Sequence, residues 1–174
     1  MFDPLHLRTA READASAIAA LVNSGYRGEQ SLQGWTTEDH LLSGGRIHEQ
    51  GVRELLVKEG TVVLVFDPGE RIEGCVELAL RGATLYLGML TVRPALQGRG
   101  LGRVLMEAAE RHAREHGCDV ITMLVIEERP ELIAWYARRG YLPTGEYRPF
   151  TNTDPAFGLP RKPLRFMVLE KRLA

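Results

Sequence analysis

Cysteine is scarce in this chain. Cys75 and Cys118 are the only two in 174 residues, and they form no C-x-x-C pair. No combination of His and Cys has zinc-site spacing, so neither a disulfide framework nor a bound metal is expected, and both thiols read as buried. Long apolar runs are missing too. None approaches the roughly 20 residues that cross a bilayer. The start, Met1-Phe2-Asp3-Pro4, has no basic stretch ahead of an apolar one, so no secretory signal is read and the expectation is a cytoplasmic protein without a membrane partner. Nor is there a charge excess. The formal net charge is -1, which argues against a nucleic-acid partner, as does the lack of a basic stripe or stacking motif. Repeats and low-complexity tracts are absent.

What remains is the composition of a globular protein, 44% hydrophobic and 26% charged. Its length suits a single domain spanning 1–174 that buries its own core. Leu5 to Arg8 alternates and predicts a first strand. Thr9 with Glu12 reads as a capping box for a helix whose apolar face is Ala17, Ile18, Leu21 and Val22, ended by Gly25. A polar, Gly-rich stretch follows from Tyr26 to Arg46, in which Thr36 and Asp39 could cap a short helix through Leu41 and Leu42. Another short helix is read at Val52–Val57. Strands are predicted at Thr61–Phe66, Ile72–Leu80 and Thr84–Val92, parted by Asp67-Pro68-Gly69 and by Gly82. The third is apolar nearly throughout, as a central strand covered on both faces would be. A helix over Arg99–His116, a strand over Asp119–Val125, a helix from Pro130 to Gly140 and a strand from Tyr141 come next. Gly145 to Pro163, with four prolines, reads as a long loop, and Leu164–Leu169 as the last strand. The strands flanking the 99–116 helix should be parallel and the other neighbours antiparallel. The fold class is α/β with mixed α+β character: a mixed sheet with helices on both faces.

The sharpest feature is the turn between a buried strand and an amphipathic helix, Gln97-Gly98-Arg99-Gly100-Leu101-Gly102. Unpaired N–H groups at a helix start, the helix dipole and glycines that let the backbone approach closely make such a turn a site for a diphosphate. It is not a P-loop, for G-x-x-x-x-G-K-[ST] is absent. Nor is it a Rossmann fingerprint, since the glycines are spaced G-x-G-x-G.

The turn resembles the Q/R-x-x-G-x-G/A motif of the GNAT superfamily of acyl-CoA N-acyltransferases. A second block, Glu131 to Tyr141, is similar to the family's N-x-x-A-x-x-L-Y-x-x-x-G-F segment, with Glu131 standing where Asn is common. In element order the likeness runs from about Leu5 to Leu173. It implies a central sheet of six to seven strands that splays at the cofactor slot. It also implies an acetyl-CoA donor and a small-molecule or peptide amine as acceptor, attacked directly in a ternary complex. Dimers are common in the family, so a homodimer is the first expectation. The backbone of Gly98, Arg99, Gly100, Leu101 and Gly102, with Gln97 and Arg103, would hold the diphosphate. Leu90, Thr91 and Val92 would pair with the pantetheine arm, and a backbone N–H near Leu90 would polarise the thioester carbonyl.

Thioester aminolysis needs a neutral amine, a stabilised oxyanion and a proton for the leaving thiolate. Tyr136 stands at the family's tyrosine position and is the expected general acid. The base is open. Some relatives place a Glu on the central strand where this chain has Tyr86, leaving Glu29, Glu38 and Glu77 as candidates beside water-mediated deprotonation. Tyr26, Trp35, Tyr86 and Phe150 are the expected acceptor-binding residues. No His neighbours Cys75 or Cys118, which argues against a covalent route. His112 and His116 at i, i+4 find no third metal ligand. The alternative to an enzyme is a non-catalytic acetyl-CoA sensor or scaffold.

Overall fold

A computed structural model describes residues 1–174. Along the chain run β1 (Leu7–Thr9), α1 (Ala15–Tyr26), β2 (Leu42–Ser43), α2 (Glu49–Val57), β3 (Thr61–Phe66), β4 (Gly74–Arg81) and β5 (Thr84–Val92). They are followed by α3 (Leu101–Glu115), β6 (Val120–Ile126), α4 (Pro130–Ala137), β7 (Leu142–Pro149), β8 (Leu159–Pro160) and β9 (Arg165–Arg172). Seven strands form one sheet in the order β1-β3-β4-β5-β6-β9-β7, and β2 pairs with β8 apart from it. Only β5 and β6 are parallel. They are joined by α3, and a helical crossover is what a parallel pair requires.

Both sheet faces are covered. On one, Leu101, Leu105 and Met106 of α3 and Tyr136 of α4 pack on Leu78, Leu85 and Ile121. On the other, Ile18, Leu21 and Val22 of α1 and Val52 of α2 pack on Val63, Val65 and Met89. Alternate residues of one strand thus serve opposite cores, as the two-residue period of a strand dictates. No helix is long and apolar enough to cross a membrane.

Five local readings need correction. The first strand starts at Leu7, after a 3-10 turn at Pro4–His6. Thr9 is no cap. Asp14 caps instead: its Oδ2 accepts from the Arg11 N–H at 2.7 Å, and its two oxygens accept from the two terminal guanidinium nitrogens of Arg8. Gly25 lies inside α1 rather than ending it. A Cβ there would fall 2.5 Å from Thr91 Cγ2, so the glycine lets α1 lie close on β5. Leu41 and Leu42 form no helix. Both are buried with Ile126 and Leu164 in a small third cluster, and Leu42 belongs to β2. The presumed loop after Gly145 is strand as far as Pro149. β7 is an edge strand exposed along its whole length, with Pro143, Pro149 and a bulge between Pro143 and Tyr147. Prolines and bulges are common on edges, where they discourage further pairing.

The feature that positions the site lies between β5 and β6. Their pairing comprises Thr84 with Val120, Leu85 with Ile121 and Tyr86 with Thr122, and stops there. Beyond it the strands part, leaving the facing edges of Leu87–Val92 and Met123–Ile126 without each other. β5 is bent where this begins. Met89 has φ 53°, and the β4 register shifts between Cys75 and Glu77. A bulge of this kind re-aims the strand.

Candidate active site

At the end of β5, a 3-10 turn at Pro94–Leu96 leads to Gly98 and Gly100, with φ 73° and 99°. An L-residue pays a steric cost for either angle, which glycine escapes. A Cβ at either position would meet nothing within 4 Å, so the space above the turn is open. The N–H groups of Gly98, Arg99, Gly100, Leu101 and Gly102 donate to no backbone acceptor. At Gly102 a Cβ would lie 3.3 Å from the Trp135 ring. Glycine there lets α4 approach α3. Arg139 stacks on Trp135 at 3.6 Å and donates to its carbonyl. Its Nε–H is buried without a partner.

Gly98, Gly100, Gly102, Trp135 and Arg139, with Arg103 and Arg138, line a cavity of about 440 Å³ that runs along the parted edge of β5 to Tyr26 and Tyr136. A second cavity of about 400 Å³ opens from the other side of the same gap, among Arg46, Tyr86, Gly88, Leu124, Phe150 and Phe157. Tyr26, Leu90, Arg129, Leu132 and Tyr136 belong to both walls. A strand gap with free amides at one end and an aromatic chamber at the other can hold a long donor threaded through it and an acceptor met end-on.

The sequence model of the Acetyltransferase (GNAT) family matches residues 21–141. The chain belongs to the GNAT acetyltransferase family. Solved GNAT-like folds resemble it over nearly their full length. The ribosomal-protein-S18-alanine N-acetyltransferase from Escherichia coli shares 14% identity with a TM-score of 0.71, covering 97% of this chain and 93% of that one. The ribosomal-protein-alanine N-acetyltransferase from Brucella melitensis shares 22% at 0.68, covering 96% and 99%. The Salmonella typhimurium protein YncA, solved with its cofactor acetyl-CoA, shares 23% at 0.65, covering 97% and 93%. At these identities the likeness speaks for the fold: a mixed sheet with helices on both faces.

Within this GNAT fold the expected cofactor residues divide by what they offer. Gly98, Gly100, Gly102 and Arg103 line the first cavity, as do Leu90, Thr91 and Val92. The Leu101 side chain is buried in the core, and the exposed Arg99 side chain lines neither cavity, so both bring only backbone N–H groups. Gln97 is a brace. Its Nε2 donates to Val92 O at 3.1 Å, and its Oε1 accepts from the Trp35 N–H at 3.1 Å. The Leu90 carbonyl likewise accepts from the Tyr26 hydroxyl at 3.0 Å. Both strand carbonyls facing the slot are therefore held by side chains, a detail the expectation of simple strand-like pairing lacked.

Tyr136 is buried at the junction, and burial pushes its phenol well above the ordinary range. Among the three candidate bases, Glu29 is exposed and lines neither cavity. Glu38 is buried but committed: Oε2 accepts from Arg27 at 3.1 and 3.3 Å and Oε1 from Arg129 Nη1 at 2.8 Å. Such a carboxylate is a structural ion-pair node rather than a free base. Glu77 lines neither cavity itself, but it is half-buried on β4 opposite Gly88, a residue of the second cavity's wall, and a Cβ added at Gly88 would sit 3.0 Å from its Oε2 and 3.2 Å from the Tyr86 hydroxyl. Burial raises its carboxyl, as desolvation of a charged form must. Cys75 is buried, its thiol pushed up to about 12 by desolvation, which leaves it a poor nucleophile.

Tyr26 joins both cavities, and Tyr86 and Phe150 line the second. Trp35 does not. It lines the first, 6.5 Å from the Trp135 ring. Glu131 accepts from the Thr36 hydroxyl at 2.8 Å and ties α4 to the segment before Glu38. Sequence reasoning missed Arg46, Arg129, Arg138 and Arg139. The last two stand as an adjacent cationic pair after a helix, a visible signal. Arg46 and Arg129 are single residues that only the tertiary fold brings to the gap.

Proposed function

We propose that the protein transfers an acetyl group from acetyl-CoA to a primary amine. The observation that carries this is the early end of β5–β6 pairing at Tyr86, beside a turn of unpaired amides. Buried backbone groups are rarely left unpaired; side chains already hold the Leu90 and Val92 carbonyls, and an amide-bearing arm fits the rest of the gap between the edges. The free N–H groups from Gly98 to Gly102, with Arg103, Arg138 and Arg139 nearby, suit a diphosphate.

The acceptor enters from the Phe150 side. Its nitrogen lone pair forms the new N–C bond at the thioester carbonyl, the C–S bond breaks, and the sulfur leaves as thiolate. A strand N–H near Leu90, re-aimed by the bend at Met89, faces the developing oxyanion. Tyr136, buried where the two cavities meet and protonated at neutral pH, is assigned as the donor to the departing sulfur on its position. Glu77, directly or through one water, takes the proton that the amine must shed. Its raised carboxyl makes it a better base than an exposed one. Cys75 takes no part.

The test is free-thiol release from acetyl-CoA over a panel of primary amines, with calorimetry of acetyl-CoA alone. Saturable thiol release with at least one amine is expected. Absence of heat at millimolar acetyl-CoA would remove the reading. Tight uptake with no thiol release from any amine would make the protein a sensor instead.

A further inference from the structure

The acceptor chamber is unusually cationic for an amine site. Its wall holds four arginines, Arg27, Arg46, Arg129 and Arg148, against a single glutamate, Glu38. A site built only to receive a protonated amine would show the opposite balance.

The four are not equivalent. Arg148 is exposed and pairs with Glu146 at 2.9 Å at the rim. Arg27 and Arg129 share Glu38, and all three side chains are at most 7% exposed. Glu131 adds only a long, more exposed contact to Arg129 at 3.9 Å, so two buried guanidiniums largely on one buried carboxylate leave positive charge in the wall, where low dielectric lengthens its reach. Arg46 is the informative one. It is half-buried, its guanidinium carbon lies 5.5 Å from the centre of the Tyr26 ring, and its side chain forms no ion pair and donates no hydrogen bond, although its charge acts on the nearby Glu77 carboxyl. The Arg129 guanidinium lies 5.9 Å from the same ring. Tyr26 in turn donates to Leu90 O, so one aromatic ring connects the cations to the place where acetyl transfer is proposed. A partly desolvated guanidinium whose N–H groups are not hydrogen-bonded is costly, and its planar fork fits an oxyanion with two acceptor oxygens.

We propose that the acceptor carries an oxyanion as well as its amine: a small amino acid of the carboxylate or phosphonate type, its anionic group held by Arg46 and its amine directed at Leu90. Phe150, Phe157 and Leu124 then face its carbon skeleton. Chemically the transfer is unchanged: the N–C bond forms, the C–S bond breaks, the amine proton leaves to Glu77 or water, and Tyr136 protonates the thiolate. The proposal rests on the acetyltransfer reading.

The experiment compares thiol release from acetyl-CoA for free amino acids, their methyl esters, the corresponding decarboxylated amines and aminophosphonates. It uses the wild-type protein, Arg46→Met and Arg46→Lys. At least one anionic acceptor should exceed its ester and its decarboxylated amine by tenfold or more in kcat/KM, and the carboxylate and phosphonate arms identify the preferred oxyanion. Arg46→Met should raise KM for that acceptor at least tenfold, leave acetyl-CoA affinity unchanged and abolish the preference over the ester. Arg46→Lys should restore part of it. Neutral amines turning over as well as anionic ones, or Arg46→Met weakening both alike, would overturn the proposal while leaving acetyl transfer standing. If no amine reacts although acetyl-CoA binds, calorimetry of the same amino acids against the CoA-loaded protein decides. Uptake lost in Arg46→Met supports the anion site, and no uptake refutes it.

Discussion

The two cavities that meet at Tyr136 are built by different means. The proposed donor side rests on backbone: consecutive N–H groups after β5, glycines in left-handed conformations and the edge of a strand that has lost its neighbour. The acceptor side rests on side chains drawn from residues as distant as Tyr26, Arg46, Tyr86, Arg129 and Phe150. A backbone site tolerates side-chain change but not a new Cβ or φ. A side-chain site depends on a few charges and aromatic rings, and it can be retuned without touching the donor. That is how one fold can keep a common donor and vary the acceptor.

Substitutions can sharpen or break this contrast. The largest effect is expected from Glu38→Gln. It leaves the Arg27 and Arg129 charges buried with a weakened partner, and breaking a buried pair costs about 3–5 kcal/mol. Thermal unfolding should show a fall of about 10 °C or more in Tm. Acetyl-CoA affinity, measured below that transition, should change far less than acceptor KM. Next, Tyr136→Phe should lower kcat by about 10²-fold, the usual yield of one general acid, with little change in acetyl-CoA affinity. Steady-state kinetics with the best acceptor check both, and an unaltered kcat would dismiss Tyr136 as the proton donor.

A smaller effect is expected on the donor side. Gly100→Ala forces a non-glycine residue to φ near 99°, at a cost of about 1–2 kcal/mol, and crowds the amides of the turn. Calorimetry should show acetyl-CoA binding weakened several-fold or more, with the ratio of kcat/KM between different acceptors preserved. Loss of acceptor discrimination in this variant would erase the division between the two sides.

The smallest effect concerns pH. Because burial raises the Glu77 carboxyl, its basic form is lost as pH falls through a range above that of an exposed glutamate. The wild-type kcat/KM should therefore show an acid limb higher than an ordinary carboxylate gives. It is best read with a weakly basic acceptor, so that the amine's own proton does not mask it. Glu77→Gln should remove that limb and lower the plateau several-fold. A limb that persists would assign deprotonation to water alone.

The same contrast explains what could be read from the sequence. β3 and β5 fall where the apolar runs place them, and the turn after β5 is contiguous, so residues and spacing announce it together. β7 escaped notice beyond Gly145 because an edge strand exposed on both faces carries no alternating pattern. Leu41 and Leu42 misled because two adjacent apolar residues can both be buried where a loop passes over a small cluster. α1 ran through Gly25 because that glycine answers to Thr91 across the helix–sheet contact, not to the end of the helix. Arg46 and Arg129 gave no signal at all. Nothing near them in the chain marks them, and their meaning arises only where distant segments converge on Tyr26.

The most direct measurement is a calorimetric titration of acetyl-CoA into the wild-type protein and into Gly100→Ala. The account predicts saturable binding of one acetyl-CoA per chain to the wild type and distinctly weaker binding to the variant. No heat at millimolar acetyl-CoA, or equal affinity in the two proteins, would contradict the claim that unpaired amides after β5 hold the donor.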